Sequence, residues 1–448
     1  MVKPGTPGLQ STTARFWLTV ILTGIGAGLS AALLTTLLTT VQHQLWPPAD
    51  ASLLLSASHA GPWRHIVVLL GAGLLTGCGQ LFLGRLSGAN GIELTTAIWF
   101  RAGRLRALRT LGSGLLSVVI VAMGASLGRE GAPKQAGALI ADVLANRNGF
   151  TDEQHRLLVA GGAGAGLAAA YDVPLGGALF ALEVLRGALA LRSVLPALAM
   201  SAIATAVAWI AIPDLPTYVI PKFTASMSIV GWALFAGPIA GLVSVAYVRL
   251  ITLADHYRPQ ASLRLLAPVV ALGLLGIVSI PFPQLLGNGR DLTQLSFLGE
   301  IAPPLLVTLL VLKPLVTIMC LGSGAPGGLF TPTLTLGALL GASLGVLWSW
   351  IWPGVPPGLF ALVGAGAMLA ASTRGPISAV VLMVELTGRD RSFVVPLVVA
   401  VVAATLVARA INSRSIYDAR LTDAQLARRH RLRELPSHDQ PSSGHQQQ

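Results

Sequence analysis

From Phe16 to Val41 the chain carries no charged residue, and apolar stretches of the same kind recur as far as residue 411. Hydrocarbon accepts such runs, provided each segment satisfies its own backbone hydrogen bonds as a helix. Charged residues make up 11% of the 448-residue chain, against about 25% in soluble domains. The first run is longer than the core of a signal peptide, about 7–15 residues, so it is predicted to be the first membrane helix. The chain reads as an all-α polytopic membrane protein.

The later stretches are not simple spans. They fall near 65–84, 111–127, 131–146, 157–185, 191–212, 227–254, 265–280, 300–322, 333–352, 357–372, 377–387 and 392–411, and many are short or interrupted by Gly and Pro. GGAGAGLAAAYDVPLGGALF and GSGAPGGLFTPTLTLG are the clearest cases. Broken helices at membrane depth are tolerated only where they are buried in protein or line a water-filled cavity. Their free N-terminal N–H groups can hold an anion there.

The breaks repeat. Pro174 precedes Glu183 by nine residues, and the same pair recurs 202 residues on as Pro376 and Glu385. Upstream, Glu130 precedes Pro174 by 44 residues, and Phe330 precedes Pro376 by 46. Two halves, about 16–212 and 227–411, therefore carry interrupted segments in matching places. In membrane proteins that pattern points to a substrate site at the interface of the halves. Pro174 and Pro376 read as structural breaks, and Glu385 as a buried, hydrogen-bonded carboxylate.

The net charge of +12 would suggest nucleic acid in a soluble chain. Here the arginines lie in short loops and in the tail, where positive charge fixes the cytoplasmic side, so no nucleic-acid partner is expected. Residues 1–15 and the basic tail, 412–448, are both predicted to be cytoplasmic. The tail is too short for a folded regulatory domain such as a CBS pair, and its end is expected to be disordered. Cys78 and Cys320 form neither a metal-ligand pattern nor a disulfide framework.

GASLG at 124–128 fits the hydrolase nucleophile elbow, but the strand–turn–helix setting and a His partner are missing. GGAGAG at 161–166 is better read as small residues that let helices approach closely. Lys313 could either raise the potential for an entering anion or snorkel to the interface. Glu130, in SLGREGAPKQAG, is the sharpest feature. A charge at membrane depth is by default a functional site, and the alternative is an ion pair with Arg129 or Lys134. The bracketing Gly128 and Gly131, and the helical run that follows, favour function. A carboxylate at a helix N-terminus occupies the place of a bound anion when ionised and can leave it when protonated.

These residues resemble the CLC chloride channels and chloride/proton exchangers over roughly residues 16–420, most closely the shorter bacterial ClcB-type branch. GREGAPKQ is similar to the family segment that carries the gating glutamate, here Glu130 with Arg129 and Gly131 beside it. GSGAPGGLFTPTLTLG is similar to the segment whose backbone N–H groups line the central anion site, here Gly328, Leu329 and Phe330. Tyr417 in NSRSIYDARL matches the tyrosine whose hydroxyl contacts the anion. The resemblance implies two inverted halves built from short, broken and tilted helices over 16–411, a homodimer with one pathway per subunit, and the bacterial inner membrane. It implies chloride as transported ligand and no metal, nucleotide or organic cofactor.

Three departures stand out. The family serine that contacts the anion falls at Ala89, with Asn90 beside it, so Asn90 or a backbone N–H would have to replace the hydroxyl. Val184 occupies the position where exchangers of the family carry a proton-accepting glutamate, and valine cannot titrate. Its neighbour Glu183 is expected to be a helix-end carboxylate paired with Arg186. Finally, Ala132 replaces the proline after GREG, with Pro133 one place later. The expected function is passive chloride conduction gated by Glu130. A chloride/proton exchanger with another proton route is the alternative within the family. A sodium-coupled transporter is the alternative outside it, with Asp172 the one acid beside a suitable break.

Overall fold

The structure is a computed structural model that describes residues 14–47, 52–86, 94–224, 226–260, 263–388, 392–411, 414–419 and 421–434. Those residues form helices joined by short links. The first half holds α1 (Ala14–Leu45), α2 (Leu53–Ser58), α3 (Pro62–Leu86), α4 (Leu94–Phe100), α5 (Ala107–Ala122), α6 (Gly131–Asn148), α7 (Asp152–Tyr171), α8 (Pro174–Leu179) with a π-helical turn to Arg186, and α9 (Leu191–Ala208). The second holds α10 (Met227–His256), α11 (Leu263–Val278), α12 (Arg290–Leu298), α13 (Pro303–Gly322), α14 (Phe330–Ile351), α15 (Pro357–Thr373), α16 (Pro376–Leu386) and α17 (Val394–Ile411). Among the described helices, seven are long and apolar enough to cross a membrane, and α5, α11, α15 and α16 are shorter apolar pieces.

Two helices form the centre of their halves. α7 from Leu157 onward and α15 from Gly358 onward are buried on every side, as expected for helices that are apolar all round. α7 packs on α6, α9 and α1, and α15 packs on α14, α17 and α10. Close approach explains the glycines: a Cβ on Gly162 would fall on the carbonyl oxygen of Gly137, so α6 and α7 meet backbone to backbone. The GGAGAG segment is thus a packing surface.

The apolar stretch 157–185 is broken rather than continuous. α7 ends at Asp172 in the left-handed region (φ 56°), and Pro174 opens α8 at its first position. The second half repeats this step: α15 ends at Arg374 (φ 63°), and Pro376 opens α16. Proline at the first helical position needs no N–H partner and has its φ preset, so each Pro restarts a helix in a new direction.

The halves are inverted, and two reciprocal contacts show how. Glu183, late in the α8 segment, accepts hydrogen bonds from the N–H groups of Ile377 (3.1 Å) and Ser378 (2.7 Å) at the start of α16. Glu385, late in α16, accepts from Leu175 (3.1 Å) and Gly176 (2.6 Å) at the start of α8. Each segment's end therefore caps the other's beginning, which requires them to run antiparallel about a two-fold axis. Gly128 and Gly328 exchange N–H···O bonds of 2.7 and 2.8 Å in the same antiparallel sense. Segments 200 and 202 residues apart thus lie on one axis. The expected pairing of Glu183 with Arg186 is replaced by this cap, and Arg186 pairs with Glu153 instead. A carboxylate is stabilised by the unpaired N–H groups and the positive dipole end at a helix start.

Lys313 does not snorkel to the interface. Its side chain is buried and its ammonium donates to the carbonyls of Leu285 (2.9 Å) and Gly287 (3.0 Å), tying α13 to the link before α12. Beyond α17, α18 (Asp423–Glu434) is a helix within the tail, and the end of the tail lies outside the described residues.

Candidate anion site

Two helix N-termini meet at the bridge between Gly128 and Gly328. α6 starts at Gly131 with Glu130 in the N-cap position, and α14 starts at Phe330 with Leu329 there. Glu130 does not cap its own helix with its side chain. It reaches across to α14, where Oε1 accepts the Phe330 N–H at 2.6 Å. Oε2 lies 3.4 Å from both the Thr331 and the Tyr171 hydroxyls, which are themselves 2.8 Å apart. The residue is 0% exposed.

Physical chemistry accounts for this choice of residues. A buried carboxylate is tolerable only with donors around it, and the start of α14 supplies an N–H and the positive end of a helix dipole. Glycine is required on both sides, because a Cβ on Gly128 or Gly328 would fall on the Glu130 carboxylate. Among the described residues Glu130 forms no ion pair with Arg129 or Lys134, so the alternative reading of this charge is set aside. Arg129 instead lies over the Tyr171 ring, 5.2 Å from its centroid.

Two cavities, each of about 140 Å³, border the segments around Glu130. One, called outer here, is lined by Arg129, Arg290 and Asn288 together with Gly287 and Gly289. The other, called inner, is lined by Gly131, Lys134 and Gln135 of α6, by Gly327, Gly328 and Leu329, and by Tyr417. The residues on either side of Glu130 in sequence thus face opposite cavities.

Tyr417 reaches the inner cavity because the segment 414–419 is fastened at several points. The Ile416 N–H donates to the Ser372 carbonyl at the end of α15 (2.9 Å). Asp418 accepts from the Ser415 hydroxyl (2.8 Å) and pairs with Arg429 of α18. Arg429 in turn lies 3.4 Å from the Val184 carbonyl and 5.1 Å from the Trp99 ring centroid. Val184 itself sits buried in the π-helical turn. Asp418 is a buried acid close to Val184, and Arg429 and Ser415 hold it.

The structure places Gly131, Gly328, Leu329 and Tyr417 around the inner cavity, Arg129 at the outer one, and the Phe330 N–H on Glu130. It corrects the expected role of Gly328, whose N–H is spent on the Gly128 carbonyl and is not offered to an anion. The Phe330 N–H is the donor at this point, and the Glu130 carboxylate holds it. Ala89 and Asn90 lie outside the described residues. Asp172 accepts from the Trp209 indole (3.0 Å), and among the described residues no group of three or more His, Cys, Asp or Glu side chains is placed to hold a metal ion. Ser126 of the hydrolase-like pentapeptide meets Thr317 (3.2 Å).

Sequence reasoning missed three residues here. Thr331 follows Phe330 directly, so the neighbourhood of the motif was its only signal. Tyr171 precedes a helix break but carries no local mark of its partner 160 residues away. Lys134 was weighed only as a partner for Glu130.

The sequence model of a family described as voltage gated chloride channel matches residues 72–409. The chain is 32% identical over 321 residues to the H(+)/Cl(-) exchange transporter ClcA of Vibrio cholerae, covering 68% of this chain and 66% of that protein. It therefore spans just under two thirds of that relative's length. It is 33% identical over 387 residues to the voltage-gated ClC-type chloride channel ClcB of Escherichia coli, covering 82% of this chain and 89% of that one. Among solved structures, a slow cyanobacterial Cl-/H+ antiporter superposes with a TM-score of 0.80 at 22% identity, over 91% of this chain and 97% of that one. A CLC-type fluoride/proton antiporter gives 0.71 at 21%, over 91% and 99%.

Proposed function

The chain belongs to the voltage-gated chloride channel (CLC) family, and from that premise we propose that it conducts chloride passively across the bacterial inner membrane, as a homodimer, with Glu130 as the gate. The position of the Glu130 carboxylate carries the reading: it is buried on an N–H that an anion would otherwise take, and its sequence neighbours Arg129 and Gly131 line two different cavities. Ionised, it competes with chloride for that donor. Protonated, it loses its attraction for the helix end and yields the place. Conduction therefore rises as the outer solution is acidified. The inner cavity is assigned to the cytoplasm because Arg109 of the RAGRLRALR loop and the segment leading to the basic α18 border it, and positive charge stays inside.

Val184 supports conduction over coupled exchange, since the nearby Asp418 is held in an ion pair. Exchange remains the second reading because relatives named exchangers and antiporters are among those this chain resembles. Purified protein in liposomes under a chloride gradient tests both, with chloride efflux and internal pH recorded together. Chloride efflux without uphill proton movement supports conduction. Uphill proton movement driven by chloride overturns it.

A further inference from the structure

Lys134 lies in the first turns of α6, one helical turn beyond Glu130, and is 5% exposed. Its ammonium sits 4.9 Å from the centroid of the Tyr417 ring and 5.2 Å from that of Phe180. The two rings themselves meet edge to face at 5.4 Å. Aromatic faces attract a cation through their quadrupoles, so the pair holds the ammonium in place. Lys134 also lines the inner cavity, together with Gly131, Leu329 and Tyr417.

We propose that Lys134 is a specificity-determining residue of this path: its ammonium, fixed against Tyr417 and Phe180 in the cavity wall, biases the cavity toward small, strongly hydrated monovalent anions. The proposal deepens the conduction reading and rests on it. Backbone N–H dipoles and hydroxyls already favour a small anion over a large one, since they approach it more closely. A full positive charge adds to that preference, because its attraction also grows as the anion's radius falls. An ammonium is a compact, strongly hydrated point charge, whereas a guanidinium spreads its charge over a plane and is weakly hydrated. With ammonium in the wall, chloride and fluoride recover more of their dehydration cost than nitrate or thiocyanate do. Arg109 also borders the cavity, as does Asp255, which pairs with Arg258 at 2.8 Å. These charges stand on other helices and do not share the aromatic seat.

Isothermal titration of purified protein with chloride, and separately with nitrate, tests this on wild type, Lys134→Met and Lys134→Arg. Methionine keeps the stem and removes the charge, and chloride affinity should fall about tenfold while nitrate affinity falls less. Arginine keeps the charge but spreads it, so chloride affinity should hold and the preference over nitrate should narrow. Unchanged chloride affinity and unchanged chloride-to-nitrate preference in Lys134→Met would overturn the inference. If the methionine variant does not fold, an unaltered preference in Lys134→Arg overturns it instead. Glu130→Gln run in parallel separates the two proposals. Chloride binding by Glu130→Gln with an indifferent Lys134→Met sinks only the role of Lys134. No chloride binding by wild type or Glu130→Gln sinks the conduction reading as well.

Discussion

Where α8 and α16 cross, both halves carry the same residue for the same purpose. Glu183 caps the start of α16 and Glu385 caps the start of α8, each with two N–H groups in its carboxylate. Where α6 and α14 meet, the backbones keep the two-fold relation through Gly128 and Gly328, but the side chains do not. One half presents Glu130, and the position 200 residues on presents Phe330. A symmetric pair of carboxylates can satisfy two helix ends and be done. A single carboxylate facing an apolar counterpart leaves one helix end, that of α14, served by a group from the other half. Symmetry kept is structure; symmetry broken is the candidate site.

The strongest way to break the comparison is to remove the odd carboxylate. Glu130→Ala should raise chloride efflux from liposomes at neutral pH, by about tenfold if the carboxylate holds the site some nine-tenths of the time. It should also abolish the rise in flux on acidification. Efflux with wild-type pH dependence in this variant would end the gate reading.

Gly328→Ala sharpens the same point without touching a charge. Its added Cβ would take the room of the Glu130 carboxylate, whereas nothing else within reach is displaced first. Flux should rise several-fold and lose much of its pH dependence. A folded Gly328→Ala protein with wild-type flux would mean that the carboxylate does not need that seat.

The symmetric pair should behave in the opposite way. Glu183→Gln and Glu385→Gln each replace charge-assisted bonds with weaker neutral ones, a loss of about 1–2 kcal/mol apiece. Thermal unfolding in detergent should show similar drops for the two, and the pH profile of flux should stay as in wild type. Unequal losses, or an altered profile in either, would show that the crossing is not a purely structural feature.

What the sequence made legible follows the same division. The prolines at 174 and 376 and the glutamates at 183 and 385 stand out because spacing is a one-dimensional property. Glu130 stands out because a charge among apolar residues is costly wherever it ends up. The partners of these groups do not stand out. Glu183 bonds to an N–H 195 residues away, so proximity in sequence pointed wrongly to Arg186. Tyr171 and Thr331 gain a role only once two helix ends converge from different halves. Lys313 was open to two readings, and the snorkelling one fails because two carbonyls left free by the turn before α12 meet the needs of its ammonium inside the protein.

The smallest effect tests the symmetry at a backbone step. Asp172 and Arg374 both end their helices in the left-handed region, where a side chain costs about 1–2 kcal/mol relative to glycine. Both side chains reach onto the end of a matching helix. Asp172 accepts from the Trp209 indole beside α9 (3.0 Å), and Arg374 donates to the Ala408 carbonyl in α17 (2.8 Å). Replacing either by glycine trades relief of strain against lost hydrogen bonds, each worth about 0.5–1.5 kcal/mol, and Arg374 has a second, longer one to the Arg414 carbonyl (3.4 Å). The two terms nearly cancel. Asp172→Gly and Arg374→Gly should each leave the unfolding midpoint within a few degrees of wild type and leave chloride flux unchanged. A large loss of flux in one variant alone would mean that this step, too, has been recruited asymmetrically, and that the division between a symmetric frame and one asymmetric site is drawn in the wrong place.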